Sequence, residues 1–303
     1  MAAEANVIVK RLPRQRVDGV LLLDKPIGLS SNAALQRARR LFNARKAGHT
    51  GTLDPLASGL LPICFGDATK FSQALLDARK AYRAIVRFGV ATSTHDAEGK
   101  VVERGRADFD RDAVVAMLAR FVGPLDQVPP RHSALKRDGR PYYEYARANV
   151  EIERLPRRVV IDALTLIDWS PPDACVAVKC SKGTYVRVLA DDFGRALGSC
   201  AHLAGLRRTA TAGFDVANAL TLDALEGLEV PSRLARLLPV DAPLADLPAV
   251  EVDADVAEAL AHGRRPRNTS PPGRYRGYGP AGFMGLVEAT GEELRPVRLV
   301  EGA

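Results

Sequence analysis

Length, composition and charge place this chain among ordinary globular proteins. Its 303 residues suffice for one large domain with or without an appendage; 47% are hydrophobic, 26% are charged, and the formal net charge is +7. No apolar run reaches the roughly 18 residues of a transmembrane helix, and residues 1–16 lack the apolar core of a secretory signal, so we expect neither a membrane protein nor a secreted one. The four cysteines form no C-x-x-C pair, which argues against zinc or disulfides and for a cytoplasmic location.

Hydrophobic periodicity predicts strands and helices in irregular alternation. Tyr82, Ala84 and Val86, for example, fall on one face of a strand whose other face carries arginines. The predicted elements are a strand at 19–23, a helix capped by Ser30 or Ser31, a glycine-rich loop at 48–59, a run at 60–65, a helix through Phe71 and Leu75, a strand at 82–90, a helix at 111–122, strands at 159–167, 175–178 and 184–188, and a helix at 191–197.

This order of elements favours an α+β fold over a doubly wound parallel sheet, because strands and helices do not alternate strictly. The chain becomes proline-rich at 239–248, which predicts a domain boundary there. Beyond it, strand-like runs at 283–287 and 297–300 predict a small β-rich appendage, while 263–280 is rich in Pro, Gly and Arg.

Positive charge is concentrated in three segments. Residues 36–46 carry five basic side chains and no acidic one, and residues 264–276 carry five arginines and no acidic one. Residues 131–158 combine eight Arg or Lys with Tyr142, Tyr143 and Tyr145. Arg and Lys neutralise phosphates and aromatic rings stack on exposed bases, so these clusters favour a nucleic acid as partner, although solvated charged faces give the same pattern.

Two literal motif matches lack the context that their chemistry requires. Gly277-Tyr-Gly-Pro-Ala-Gly282 has the spacing of a dinucleotide-binding fingerprint, but a proline-rich segment precedes it and a strand-like run follows. Ser133 and Lys136 have the spacing of a Ser-x-x-Lys nucleophile, but its companion motifs are missing. Neither match predicts a site.

The segment from Lys46 to Pro62 is the most informative. Gly48, Gly51 and Gly59 permit a tight loop and a close approach of the backbone to a ligand. Asp54 lies in this loop before Pro55, which disfavours a helical conformation for it. A carboxylate displayed in this way is suited to act as a nucleophile or base, but it is equally suited to stabilise a turn. The residues alone leave both interpretations open.

This loop, Gly-His-Thr-Gly-Thr-Leu-Asp-Pro-Leu-Ala-Ser-Gly at 48–59, resembles the catalytic motif of the TruB family, the bacterial tRNA pseudouridine 55 synthases. Other segments resemble family motifs in the same order and extend the resemblance over about residues 17–215. They are 19–31 (GVLLLDKPIGLSS), 80–82 (KAY), 180–187 (CSKGTYVR), 191–194 (DDFG) and 202–208 (HLAGLRR).

The resemblance implies a pseudouridine synthase fold, with a mixed, largely antiparallel central sheet flanked by helices and a small C-terminal β-rich domain similar to a PUA domain. We expect the catalytic domain at 1–243, with an RNA-gripping insertion at about 106–158, and the small domain at 244–303. The resemblance further implies isomerisation of uridine 55 in the T-loop of tRNA, a reaction without redox or group transfer and hence without a cofactor or metal.

The resemblance also implies roles for individual residues. Asp54 is implied as the nucleophile, and Arg187 as a bidentate partner that keeps it ionised and aimed. Tyr82 is implied to stack on the uracil, with a possible part in proton removal. The implied substrate-binding residues are Lys25, His49, Tyr185 and Leu206 around the pocket, with His49 filling the space left by a flipped nucleotide, and Lys136 and Arg147 in the insertion.

Two other functions remain open from the sequence. One is an RNA-guided enzyme of the dyskerin-like branch, which has the same Asp loop; the insertion and compact tail favour the stand-alone type. The other is a tRNA-binding or tRNA-folding protein with incidental catalysis. We expect a monomer that binds the T-loop arm of tRNA, with no obligate protein partner and no association with membranes.

Overall fold

A computed structural model describes residues 13–133 and 135–302 of the chain. Their strands, numbered in chain order, are β1 Gly19–Lys25, β2 Ala47–His49, β3 Ala57–Phe65, β4 Lys80–Phe88, β5 Val90–Thr92, β6 Val101–Arg104, β7 Gly123–Gln127, β8 Lys136–Arg137, β9 Arg140–Pro141, β10 Arg157–Ser170, β11 Asp173–Cys180, β12 Ala201–Thr211, β13 Phe214–Asp215, β14 Ala249–Glu251, β15 Gly273–Gly279, β16 Gly282–Ala289 and β17 Leu294–Leu299.

The same residues form eight α-helices and three short 3₁₀ turns. The helices are α1 Ser31–Leu41, α2 Ser72–Asp77, α3 Arg111–Ala119, α4 Tyr142–Arg147, α5 Val186–Ala196, α6 Leu222–Glu226, α7 Val230–Leu234 and α8 Ala254–Ala261. The 3₁₀ turns are Gly66–Phe71, Val216–Asn218 and Ala242–Leu244.

A nine-stranded mixed sheet forms the centre of the fold. Its order is β1-β3-β12-β4-β11-β10-β7, with β2 paired to β3 and β13 paired to β12. Every pairing is antiparallel except that of β12 with β3, which is parallel. The predicted α+β class, with a largely antiparallel central sheet flanked by helices, is confirmed.

Helices pack on this sheet through two main apolar clusters. Beneath β4, β11 and β12, helices α3 and α5 contribute Val114, Leu118 and Phe193 to one cluster. Beneath β1 and β3, helix α1 contributes Leu35 and Ala38 to the other. The alternation predicted for β4 is confirmed, because positions 84, 86 and 88 are buried while positions 83, 85 and 87 are exposed. Burial of these side chains provides the main favourable free energy of folding.

The structure corrects two local predictions around the functional motifs. No strand forms at 184–188, because α5 begins at Val186 and Tyr185 precedes it as an extended N-cap residue. The loop predicted at 48–59 is shorter, since Gly48 pairs with Cys64 in β2 and Gly59 lies within β3. Gly59 has a φ of +102°, and a Cβ there would lie 2.2 Å from the carbonyl oxygen of Arg208, so only glycine fits beside β12.

The C-terminal part forms a second sheet, with order β14-β15-β16-β17. It encloses its own apolar cluster, which includes Leu260, Met284 and Val287. The Pro/Gly/Arg-rich stretch contains a strand that the sequence analysis did not predict, because β15 and β16 form a hairpin across the fingerprint-like residues 277–282. That hairpin has no helix after it, in agreement with the rejection of a dinucleotide site.

Candidate active site

The backbone around Asp54 is fixed to the turn between β1 and α1. The Oγ of Ser31 donates to the carbonyl oxygen of Leu53 at 3.0 Å and accepts from the Leu53 N–H at 2.8 Å. On the other side of Asp54, the carbonyl oxygen of Pro55 accepts from the N–H of Gly28 at 2.8 Å. Both neighbours of Asp54 are therefore hydrogen-bonded to this turn or to the first residue of α1, and this limits where its side chain can lie.

Asp54 opens into a cleft of about 590 Å³. This volume lies within the range of small-molecule sites in proteins. Asp54 is the only acidic side chain among the described residues that line the cleft. Three further predicted site residues, Tyr82, Tyr185 and Leu206, line it together with Arg187. The lining residues that sequence reasoning missed include Lys80, His132, Ser133, Leu135, Tyr143 and Arg208.

The buried guanidinium of Arg187 is shared between two carboxylates. Its Nη2 lies 3.2 Å from Oδ2 of Asp54, while its Nη1 lies 3.2 Å from Oδ2 of Asp96. The same Nη2 also donates to the carbonyl oxygen of His132 at 2.8 Å. The structure places Arg187 beside Asp54, as the partnership predicted for them requires, but the contact is made by one nitrogen and is not bidentate, because the second terminal nitrogen is occupied by Asp96.

Asp96 is a member of this arrangement that sequence reasoning missed. It lies between β5 and β6, and its side chain is only 2% exposed. Its Oδ1 accepts from the Thr94 hydroxyl at 2.5 Å and from the Glu98 N–H at 3.1 Å. Thus both oxygens of Asp96 have donors, as a buried carboxylate requires. No motif marked this residue, and only its distant partner Arg187 reveals it.

Burial has the largest effect on the ionisation of Asp54. Removal from water raises the pKa of Asp54 above that of an ordinary aspartate, and the nearby Asp96 raises it further. The cations Arg187 and Lys25 act in the opposite direction without cancelling the rise. The sequence implied that Arg187 keeps Asp54 ionised. In the structure, the carboxylate is less readily ionised than this implies, and it is less solvated when it is ionised. A poorly solvated carboxylate is suited to act as a nucleophile.

Lys25 lies behind the Asp54 loop and outside the lining of the cleft. It is fully buried, and its Nζ donates to the carbonyl oxygens of Pro26 at 2.9 Å and Leu29 at 2.6 Å. Burial lowers the pKa of Lys25 to about 8, although the attraction of Asp54 opposes that change. The structure therefore places Lys25 as a brace of the turn that holds Pro55, and not as a direct substrate contact.

Tyr82 lies on the floor of the cleft beside the buried Arg208. Arg208 donates from Nε to the carbonyl oxygen of Leu60 at 2.6 Å and from Nη2 to that of Gly51 at 3.1 Å. Burial raises the pKa of Tyr82, so its phenol stays protonated at neutral pH. Tyr82 thus presents a neutral ring, which is suited to stacking on a base.

A second buried cation, Lys80, lies beside Arg208 at the edge of the cleft. Its Nζ donates to the carbonyl oxygens of Leu76 and Ala78, both at 2.6 Å, so it caps the C-terminal end of α2. Burial, with the repulsion of Arg208, lowers the pKa of Lys80 to about 8. Both cations therefore satisfy backbone carbonyl groups around the cleft.

The remaining predicted pocket residues differ in position. The backbone of Tyr185 is held by Gln127, whose Oε1 accepts from the Tyr185 N–H at 3.0 Å and whose Nε2 donates to its carbonyl oxygen at 3.2 Å. His49 lies on β2 outside the cleft lining, and its Nδ1 is buried without a hydrogen-bond partner among the described residues. Burial, and then the charge of Arg208, lowers the pKa of His49 and favours its neutral form.

The insertion contributes to the cleft through residues other than those predicted. Lys136 and Arg147 are exposed and outside the cleft lining, and Arg147 lies over the ring of Tyr143 at 5.4 Å from its centroid. Tyr143 itself lines the cleft. The two predicted cations are therefore placed for contact with a longer substrate and not for contact with the reacting group.

Neither a metal site nor a membrane span is evident in the part of the chain that the structure describes. Within residues 13–133 and 135–302, no group of three His, Cys, Asp or Glu side chains is arranged to hold an ion. Among the helices of these residues, none is both long and apolar enough to cross a bilayer.

Comparison with family models and curated proteins identifies relatives of this chain. Residues 39–186 match the N-terminal domain of TruB family pseudouridylate synthases, and residues 187–245 match the C-terminal domain of tRNA pseudouridylate synthase B. The tRNA pseudouridine synthase B of Burkholderia mallei (strain ATCC 23344) is 54% identical over 299 residues, 96% of either chain. That of Azoarcus sp. (strain BH72) is 53% identical over 292 residues, 96% of this chain and 97% of the relative.

Solved structures share the fold at lower identity. A chain in the crystal structure of a Cbf5-Nop10-Gar1 complex aligns with a TM-score of 0.70 and 24% identity, covering 93% of this chain and 84% of the other. The archaeal box H/ACA sRNP Nop10-Cbf5 complex gives 0.69 and 23%, covering 96% and 88%. The family models and the curated relatives together show that the chain belongs to the TruB family and is a tRNA pseudouridine synthase.

Proposed function

We propose that this enzyme isomerises uridine 55 in the T-loop of tRNA, with Asp54 as the nucleophile. The observation that carries the proposal is the position of Asp54, the sole carboxylate among the described residues lining a cleft whose other walls are aromatic, apolar, hydroxyl-bearing and cationic. Arg187 is its partner, and Tyr82 stacks on the uracil. Tyr185 and Leu206 complete the walls around the base.

The reaction requires no atom beyond those of the substrate. An oxygen of Asp54 attacks the target nucleoside, at the ribose or at the base, and the bond between N1 of uracil and C1′ of ribose breaks. The uracil rotates and a bond forms between its C5 and C1′. The bond to the Asp54 oxygen breaks and restores the carboxylate, C5 loses a proton, and N1 gains one. The sum is an isomerisation, for which the side chains of the cleft supply position, charge and a nucleophile.

The environment of Asp54 suits this role. Arg187 keeps the carboxylate oriented, and its second contact, to Asp96, prevents the guanidinium from turning away. The raised pKa of Tyr82 favours stacking over proton removal, because removal of a proton by Tyr82 would require its phenolate. A uridine within a folded loop must first be extruded, at a cost of a few kcal/mol.

The decisive experiment maps pseudouridine in an unmodified tRNA transcript incubated with the purified protein, without cofactor or guide RNA. We expect conversion at uridine 55, loss of conversion in Asp54→Asn, and full activity in Asp255→Asn, an exposed carboxylate in α8 that serves as the control. Asp54→Asn should keep its affinity for tRNA, because phosphate contacts lie elsewhere. Wild-type protein that binds tRNA without converting it would favour a guide-dependent enzyme or an RNA-binding protein instead.

The proposal extends to the rest of the molecule. Residues 244–303 form the small PUA-like domain, and the segment between β7 and β10 belongs to the insertion that grips the RNA. The enzyme acts as a monomer in the cytoplasm without an obligate protein partner. Light scattering of the purified protein alone and with tRNA tests the monomer, since a stable dimer would double the measured mass.

A further inference from the structure

A second, smaller cavity adjoins the Asp54 cleft. Its volume is about 240 Å³, and His132 lines both it and the larger cleft. It lies between the turn after β5 and the segment that follows β7. Its lining residues are Ser93, Thr94, His95, Pro130, Arg131, His132 and Arg154. Nothing in the reaction derived above uses this cavity.

The cavity is rich in hydrogen-bond donors, and its two arginines are only weakly committed to carboxylates of the described residues. Arg154 donates from Nη1 to the carbonyl oxygen of Pro129 at 2.9 Å, and no carboxylate of the described residues lies within 4.0 Å of its guanidinium. Arg131 pairs with Glu151, whose side chain is 83% exposed, so that pair is readily exchanged for another anion. Arg154, which lines the cavity, therefore has further N–H groups without an acceptor among the described residues.

Besides Glu151, two carboxylates lie against lining residues of the cavity, and both have other partners. Asp96 is occupied by Arg187 and Thr94, and Asp191 lies 3.7 Å from Nδ1 of His95 and 3.8 Å from Arg195. The Nδ1 of His95 is buried and makes no hydrogen bond in the described part of the chain. The lining itself contributes two arginines, two histidines and two hydroxyl groups, and no acidic group. This composition favours an anionic ligand.

We propose that this cavity binds a phosphodiester group of the substrate RNA next to the nucleotide held in the Asp54 cleft. The inference rests on the proposed function, because it requires the reacting uridine to occupy that cleft. Phosphate contacts fix the register of an RNA on a protein, and arginine forks match phosphate geometry. The sharing of His132 places the phosphate site directly beside the reacting nucleotide.

Occupation of the cavity also positions the catalytic pair. The carbonyl oxygen of His132 accepts from Nη2 of Arg187 at 2.8 Å. A phosphate held between Arg131, Arg154 and the turn at Ser93 draws the segment containing His132 against β5. The hydrogen bond to Arg187 is thereby maintained while the substrate is bound.

The test is a coupling measurement between one protein group and one RNA linkage. T-loop stem-loops, each with a single methylphosphonate that removes one phosphate charge, are titrated against the protein in the Asp54→Asn background, so that no product forms. We expect neutralisation of one linkage beside the target uridine to weaken binding by about 10-fold, as loss of a hydrogen bond to a charged group does. In Arg154→Gln, neutralisation of that linkage should no longer weaken binding. In the control Arg236→Gln, which changes an exposed arginine outside both cavities, the weakening should persist.

A second readout is the salt dependence of binding. Arg154→Gln should lower the slope of log Kd against log salt by about 0.7–0.9, the contribution of one phosphate contact. Arg131→Gln provides an independent variant at the same cavity, and equal melting temperatures of all variants establish that each is folded. An equal methylphosphonate penalty in wild-type and variant proteins overturns the proposal.

Competition by inorganic phosphate separates a phosphodiester site from a site for a free anion. Arg154→Gln could reduce the inhibition of RNA binding by inorganic phosphate while the penalty of every methylphosphonate stays the same as in the wild-type protein. In that case the cavity binds a free anion and the proposal is wrong. Conversion of uridine 55 by the enzyme with Asp54 intact is measured in parallel. Failure of that conversion counts against the proposed function, and failure of coupling with normal conversion counts against the phosphate site alone.

Discussion

Arg187 reaches the buried Asp96 with a single guanidinium nitrogen, Nη1 lying 3.2 Å from Oδ2 of Asp96. Its other terminal nitrogen is 3.2 Å from Asp54, so Asp96 fixes the orientation from which Arg187 meets the proposed nucleophile. Two ionised carboxylates and one guanidinium carry a net negative charge, with Asp96 and Arg187 almost fully buried and the Asp54 side chain 37% exposed. Their mutual arrangement therefore affects both the position and the ionisation of Asp54.

Asp96→Asn should lower kcat by about 10- to 100-fold, which corresponds to about 1.4–2.7 kcal/mol of transition-state stabilisation, because Arg187 loses the charge that orients it. The acid limb of the pH profile should move to lower pH, since Asp96 raises the pKa of Asp54. Single-turnover pseudouridine formation across pH measures both effects. An unchanged acid limb with reduced kcat would mean that Asp96 acts only through structure.

Ser31→Ala removes the group that satisfies both backbone atoms of Leu53. We expect the free energy of unfolding to fall by about 2–4 kcal/mol, because two buried polar groups lose their partner. Displacement of the adjacent Asp54 should also reduce kcat by about 10-fold or more. Denaturant unfolding and single-turnover assays measure the two effects.

Ser30→Ala is the matched control for that substitution. Ser30 is exposed and caps α1 by accepting from the N–H of Ala33 at 3.1 Å. Its loss should cost about 1 kcal/mol of stability, as N-cap substitutions do, and leave kcat unchanged. Equal loss of kcat in both variants would contradict a specific role of Ser31 in holding the catalytic loop.

Asp54→Asn should raise the melting temperature at neutral pH while abolishing activity. Burial raises the pKa of Asp54, so its ionised form destabilises the fold at pH values above that pKa. The cost is relieved as the pH falls through the raised pKa, and the difference between the two proteins should shrink there. Arg187 keeps Asp96 as a partner in the variant. A lower melting temperature for Asp54→Asn would show that attraction to Arg187 outweighs burial.

Lys25→Met should change the pH dependence of stability in the alkaline range. The pKa of Lys25 falls from 10.5 to about 8 on folding, so between these values the unfolded chain binds more protons than the folded one. Wild-type protein should therefore gain stability relative to the variant as pH rises from 8 to 10.5, by on the order of 3 kcal/mol at most. Urea unfolding at several pH values measures this difference. If the free energy of unfolding of the two proteins changed equally with pH, Lys25 would not have a lowered pKa in the folded protein.

The sequence predicted the parts of the site that follow one another in recognisable segments. Asp54, Tyr82, Tyr185, Arg187 and Leu206 all line one cleft, as expected. The central sheet was also predictable, because alternation in β4 reports which face is buried. The functional roles of these residues remain predictions until the variants are assayed.

The errors arise where a contact depends on tertiary structure. Asp96 meets Arg187 across 91 positions of sequence, and no local pattern distinguishes it from other aspartates in turns. The strand predicted at 184–188 is not formed. Five residues of alternating character are also compatible with an extended N-cap residue followed by the first turn of a helix, and that is the structure at the start of α5. The side chain of Lys25 points to the carbonyl groups of its own turn and not into the cleft. The positions of residues along the sequence do not show in which direction a side chain points.

The parallel pairing of β12 with β3 determines when the active site can form during synthesis of the chain. Leu206 and Arg208 pair with Ala57 and Gly59 of β3, the strand that follows Asp54. About 150 residues separate these partners in the chain. A ribosome-bound chain that ends before β12 consequently has its nucleophile but lacks the part of the cleft wall formed by Leu206 and Arg208, and it has an unpaired edge on β3. Such non-local pairing slows folding and exposes the edge to aggregation. Competence for catalysis should therefore arise only when about two-thirds of the polypeptide has left the ribosome.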